Sequence, residues 1–358
     1  MLLDYSDLKN RLKHLQAQND KGKNLRVQKA LNDFAFFVQN YLPHYINGQS
    51  KEHSKFRKKF YKDIKEYSKN RVNVFLSYRG STKTTIGSRA LCIYRSIKKQ
   101  HTYPIHISDG AELATENLSA IALEFEDNRR LKADFNISKA WVWKSRVFIV
   151  NIDNHLIKYQ AFGSGTRIRG KNFMGSRTDD IYCDDLENDI NIESKDQRTK
   201  LYKLIIKIVF KLPNRNKAYN IWFFGTVLHY DSPLMQLSKR VDIKNIYSAI
   251  ISFSKNMNLW EQIYIEAKKN DLNSAYLLFK DKQKTLFDGL IVDDTSWLTK
   301  KKELDYPVIF SLMLDYFEDR QAFGEEMQMI AQDKQNMIFK LQYFNFLPND
   351  LSFYMGGG

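Results

Sequence analysis

The residues with the most chemistry lie in two short segments. One is Arg79-Gly80-Ser81-Thr82-Lys83-Thr84-Thr85, and the other runs Asp184-Asp185-Leu186-Glu187-Asn188. The first follows a β-type apolar run, Val72-Asn73-Val74-Phe75-Leu76-Ser77, and opens into a stretch of helical spacing that reaches about Lys99. A strand that turns tightly into a helix aims several backbone N–H groups at one point. The helix N-terminus adds partial positive charge there, so the turn can hold phosphate. Lys83 at the turn can reach the β and γ phosphates of a nucleotide, and the Thr84 hydroxyl can ligate Mg²⁺. The glycine pattern G-x-x-x-x-G-K-[ST] is incomplete, because Ser77 and Thr82 stand at the two glycine positions and Gly80 alone remains.

Hydrolysis of a nucleotide needs two carboxylates, one to hold Mg²⁺ and one to activate or orient the attacking water. Both belong at the end of a strand beside the phosphate loop. Ile181-Tyr182-Cys183 leads directly into Asp184 and Asp185, with Glu187 two residues on. This pairing predicts a site that binds ATP and Mg²⁺.

The elements that must position these residues follow from periodicity. Apolar spacing predicts helices over Leu8 to Leu15 and Val27 to Tyr41, and a basic helix from Lys51 to Arg71 that buries its aromatics. Strands are predicted at Tyr103 to Ser108, Asp180 to Cys183, Tyr219 to Gly225 and Ile246 to Phe253. A hairpin over Arg146 to Phe162 turns at Asp153-Asn154. Ser194 to Leu212 reads as an amphipathic helix, and the chain is helical from Trp260 onward. Strands alternating with helices predict an α/β fold with a mainly parallel sheet flanked by helices. Phe60 and Tyr61 lie upstream of the loop, about where an adenine-stacking ring would be.

Composition bounds the function. The 358 residues carry a formal net charge of +15, which favours a polyanionic partner. No apolar run approaches the ~20 residues of a membrane span, and the charged N-terminus is no signal peptide. The two cysteines, Cys92 and Cys183, suggest no disulfide framework, and no histidines pair at metal-ligand spacing.

Taken in order, these motifs resemble the large subunit of tailed-phage terminases, the DNA-packaging motor. The phosphate loop is similar to that family's Arg-Gly-x-x-Lys-[Ser/Thr] variant. His106-Ile107-Ser108-Asp109-Gly110-Ala111 resembles the segment after its second strand. Arg169-Gly170 resembles its Arg-Gly element, Gly175 to Asn188 its stretch ending in the acids, and Phe224-Gly225-Thr226 its coupling motif. The resemblance implies a P-loop NTPase core of the ASCE, RecA-like type. It spans 51–295, after an N-terminal helical region at 1–50 and before a helical lid and linker at 296–358 leading to a nuclease that lies outside the chain. It implies that Arg79, Gly80, Ser81, Thr82, Lys83, Thr84 and Thr85 bind nucleotide, and that Asp184 acts with Thr84 on Mg²⁺. The family places a glutamate directly after that acid; here Asp185 stands there, so the general base is Asp185 or Glu187. The resemblance makes Arg79 and Arg169 candidates for the charge-stabilising arginine, Arg169 acting on a neighbour, and implies that Gly225 and Thr226 couple hydrolysis to movement.

Lys200, Lys203, Lys207 and Lys211 fall on one stripe of the helix after the acidic loop. Such a stripe can follow phosphates without reading bases. The implied partners are double-stranded DNA, a portal protein and a small terminase subunit. The chain would form a ring on the portal, or a monomer in solution, in the bacterial host cytoplasm and with no membrane. Two alternatives share these features: another nucleic-acid-translocating ATPase such as a helicase, and a basic nucleic-acid-binding scaffold with a degenerate nucleotide site.

Overall fold

A computed structural model describes residues 22–46, 54–66, 71–241 and 243–330. After a helical stretch at 22–32 come α1 (Phe34–Tyr41), α2 (Lys55–Glu66) and β1 (Arg71–Ser77). A π-wound segment, Lys83–Ala90, then continues into α3 (Leu91–Ile97). There follow β2 (Pro104–Ser108), α4 (Ala111–Asp127), α5 (Arg129–Phe135), β3 (Ile137–Lys144), β4 (Val147–Ile152) and β5 (His155–Gly163). The middle of the chain supplies β6 (Asp180–Asp184), α6 (Asp189–Ile192), α7 (Lys195–Lys207), β7 (Asn220–Gly225) and α8 (Pro233–Ser238). The last part supplies β8 (Ile243–Tyr247), β9 (Ile250–Ser252), α9 (Met257–Lys269), α10 (Leu272–Leu286), β10 (Ile291–Val292), α11 (Val308–Glu318) and α12 (Arg320–Met327).

Eight strands form one sheet in the order β3-β4-β5-β2-β6-β7-β1-β8. From β5 to β8 every pairing is parallel, while β4 and β3 add an antiparallel edge. The chain leaves β1, skips two places to form β2, and later fills the gap with β6 and β7. Parallel strands have all their C-terminal ends on one edge, and ligands of open α/β sheets bind there, where the strand order reverses. This is an α/β arrangement with a mainly parallel sheet, as the alternation of strands and helices predicts. The acid strand β6 and the loop strand β1 are not neighbours, however; β7 lies between them. The acids therefore sit one strand further from the loop than the sequence suggests.

Both faces of the sheet are covered, so side chains along each strand alternate between two cores. Phe75, Tyr182, Trp222 and Phe224 join Phe34, Phe60, Leu91 and Leu118 on one face. Val74, Leu76, Ile181, Cys183, Ile221 and Phe223 join Ile205, Val209 and Leu234 on the other. A third cluster gathers Trp260, Ile263, Phe279, Leu286, Ile309, Phe310 and Phe323, so α9 to α12 share a core drawn from both sides of residue 296.

The hairpin turns at Asp153 and Asn154, both at positive φ (46° and 64°), as a two-residue turn of that handedness requires. The predicted strand at Ile246 to Phe253 is two strands, β8 and β9, in different sheets. The edge strand β3 has no counterpart in the periodicity reading; its exposed residues include Ser138, Lys139 and Trp141. Phe60 and Tyr61 are buried among Phe34, Phe75 and Phe224, so neither ring is free to stack on a base. The helix predicted over Leu8 to Leu15 lies outside the described residues.

Candidate nucleotide site

The turn after β1 is shaped by two left-handed residues. Gly80 has φ 82°, and Thr82, which precedes the helical segment, has φ 70°. Gly80 meets its conformation without steric cost; Thr82 does not, and stored strain of this kind is usual at functional turns. The Ser81 N–H returns to the Tyr78 carbonyl at 3.2 Å. The helical segment that follows has no side-chain cap at its start, so its first N–H groups point into the turn with their partial positive charge. The Ser81 hydroxyl is buried with no hydrogen-bond partner. Lys83 is 8% exposed, Thr84 and Thr85 are half-buried, and Arg79 and Gly80 face solvent.

The acids reach the same edge. Thr84 Oγ1 donates to Asp184 Oδ1 at 3.2 Å. Burial raises the Asp184 carboxyl to about 7 and Asp185 pushes the same way. Lys83, the Thr84 hydroxyl and Arg89 oppose them. Thr84 and Asp184 thus offer two oxygen donors side by side. That suits a small hard cation, which takes one or two protein oxygens and completes its shell with water and phosphate.

Asp185 is half-buried at φ 46°. Its N–H donates to the Phe224 carbonyl at 3.0 Å and its carbonyl accepts from the Asp109 N–H at 3.2 Å. Glu187 is buried differently. Its Oε1 accepts from the Leu234 N–H at the start of α8 at 2.5 Å, and its Oε2 has no partner. Burial raises this carboxyl to about 7, against the pull of Leu234 and Ser232.

Between loop and acid, β7 ends in Gly225. Thr226 Oγ1 lies 3.5 Å from the Ser77 carbonyl, so Thr226 touches the strand that carries the loop. Arg79 is 74% exposed; its guanidinium pairs with Glu326 at 3.2 Å and its N–H donates to the Glu326 carbonyl at 3.0 Å. Arg169 is exposed on the connection from β5 to β6 and donates to the Lys207 carbonyl at 3.0 Å, at the end of α7. It is not brought to the phosphate loop of its own chain. Lys200, Lys203, Lys207 and Lys211 are all exposed, while Leu201, Ile205 and Val209 are buried beneath them. The Ser194 capping box with Gln197 starts that helix, and Lys211 lies in the short 3₁₀ turn beyond it.

Several residues at the site were not singled out by motif. Asn117 on α4 donates to Asp184 Oδ2 at 3.3 Å, and its Oδ1 accepts from Arg89 Nε and Nη2 at 3.0 and 2.7 Å. Asp109 accepts from Asn188 and Asn191 at 2.5 and 2.7 Å, tying the end of β2 to the acidic loop. Asp293 accepts from the Ser54 and Tyr78 hydroxyls, each at 2.7 Å, and from the Phe56 N–H at 2.8 Å. Short polar side chains facing each other across elements leave no periodic trace. The one signal was that Asp109, Asn117 and Asn188 lie inside or beside the segments that resembled a family.

Among the described residues no helix is long and apolar enough to cross a membrane. No protein-family model matches the chain, and no curated protein matches it. Solved structures do match, two large terminases among them. The crystal structure of the HK97 bacteriophage large terminase is 12% identical, with a TM-score of 0.43, covering 74% of this chain and 55% of that one. The structure of a large terminase from a thermophilic bacteriophage is 10% identical, with a TM-score of 0.36, covering 55% of this chain and 45% of that one. The chain spans about half the length of either. What it is similar to, on this comparison, is the bacteriophage large terminase.

Proposed function

We propose that the chain hydrolyses ATP to move double-stranded DNA, as the ATPase part of a terminase large subunit. The observation that carries the reading is the 3.2 Å contact between Thr84 Oγ1 and Asp184 Oδ1. It joins a strand–turn–helix phosphate loop to an acidic strand end at the edge of the parallel sheet where nucleotides bind.

In this reading the backbone of 79–85 cradles the phosphates and Lys83 contacts the β and γ groups. Thr84 and Asp184 hold Mg²⁺, which when bound neutralises charge developing on the phosphoryl oxygens. Asp185 orients the attacking water. Glu187 is tied through Oε1 to the Leu234 N–H, which makes it a brace for the segment after β7. Arg79 supplies positive charge at the loop and Arg169 at a neighbour's site. Gly225 and Thr226, packed beside Ser77, pass the state of the loop to the rest of the chain. The lysine stripe on α7 follows DNA phosphates. The partners are the portal protein, the small terminase subunit and further copies in a ring.

Lys83→Ala tests the site. ATP turnover by the purified chain is expected to fall about 10²-fold or more, as for loss of a group that stabilises transition-state charge. Turnover at the wild-type rate would place the chemistry elsewhere.

A further inference from the structure

Asp184 is a carboxylate with both oxygens engaged and 2% exposure. Oδ1 faces Thr84 and Oδ2 faces the amide of Asn117. Asn117 is 1% exposed. Its carbonyl oxygen takes two N–H groups of the Arg89 guanidinium, at 3.0 and 2.7 Å. An amide has its acceptor at one end and its two donors at the other. With the oxygen held by a cation, only the NH₂ end can face Asp184. Arg89 thereby fixes which way the amide points, and the amide fixes the carboxylate.

We propose that Asn117, clamped by Arg89, is a positioning residue that holds Asp184 in the orientation needed to bind the divalent cation of the nucleotide complex. The inference rests on the reading of 79–85 and Asp184 as a nucleotide site. Asp184 is gripped twice from one helical segment, directly by Thr84 and indirectly by Arg89 through Asn117. A carboxylate held at both oxygens cannot rotate when a cation arrives, so one oxygen stays presented beside the Thr84 hydroxyl. Groups that orient a metal ligand in this way commonly govern metal affinity about 10–100-fold.

The test uses Mn²⁺ as the probe, with ADP, on the purified full chain. Free Mn²⁺ is followed by its electron paramagnetic resonance signal, and melting temperature is recorded for each variant. Asn117→Ala is expected to weaken Mn²⁺ binding about 10–100-fold, with ADP affinity in the absence of divalent cation unchanged. Arg89→Lys keeps one donor for the amide oxygen and is expected to fall between wild type and Arg89→Ala. Wild-type Mn²⁺ affinity in a folded Asn117→Ala chain would overturn the inference and leave the site reading standing. If Asn117→Ala does not fold, Arg89→Ala decides, and wild-type affinity in that variant overturns the inference equally. Absence of saturable Mn²⁺ uptake by the wild-type chain would overturn the site reading, and the inference with it.

Discussion

Burial holds the Glu187 carboxyl at about 7, well above the 4.5 of a free glutamate. A carboxyl raised by folding favours the folded state while it is protonated. That contribution is complete below the unfolded value and is lost as pH rises through about 7, to a limit of about 3 kcal/mol. The melting temperature without nucleotide is therefore expected to fall between about pH 5 and pH 8. Glu187→Gln retains an acceptor for the Leu234 N–H and cannot ionise. It is expected to melt like wild type at the lower pH and above it at the higher, and parallel curves would show that the group ionises freely. Kinetics separates the two acids. Asp185→Asn is expected to cut turnover about 10²-fold or more, the range of a lost general base, with Glu187→Gln affecting it less. The reverse order would make Glu187 the base. At this scale the sequence showed the residue types that could do chemistry, Lys83, Thr84 and Asp184, because motif spacing carries them. It did not show Asn117, Arg89 or Asp293, whose partners lie far away in the chain.

The helical segment after the phosphate loop lies against β7 closely enough that one residue must lack a side chain. A Cβ on Gly87 would stand 2.3 Å from the Phe224 ring. Gly87→Ala is expected to destabilise the chain by about 1–3 kcal/mol, as overpacking does. Gly225 offers a contrast: its nearest obstacle, at 2.7 Å, is the tip of the Leu234 side chain, which can swing aside. Urea denaturation of both variants checks the order, and equal losses would contradict it. Elements with a local signal were legible: the hairpin from Asp153-Asn154, β1, β6 and β7 from their apolar runs, α7 from its stripe. The edge strand β3 was not, since its exposed Ser138, Lys139 and Trp141 break the alternation of apolar and polar residues and mimic a loop. Nor was the split of Ile246 to Phe253, which depends on which partner strand each half finds.

Over the molecule as a whole, a net charge of +15 favours association with polyanions, and the exposed lysines of α7 give that charge a place. Each phosphate contact contributes about 0.9 to the slope of log affinity against log salt. Lys203→Gln with Lys207→Gln is therefore expected to lower that slope by nearly 2 for duplex DNA; an unchanged slope would remove α7 from the interface. The fold class was legible because β and α runs alternate, and the strand order was not, since no local pattern says that β7 enters between β1 and β6. The Asp293 side chain gathers Ser54, the Phe56 N–H and Tyr78. Its own N–H holds the Ala249 carbonyl and its carbonyl the Lys55 N–H. Segments remote in the chain thus meet at one acid, and one of them, Tyr78, directly precedes Arg79. In amide exchange the start of α2, the segment after β10 and the root of the turn after β1 would open together as a single cooperative block, so loosening any one would register at once in the others.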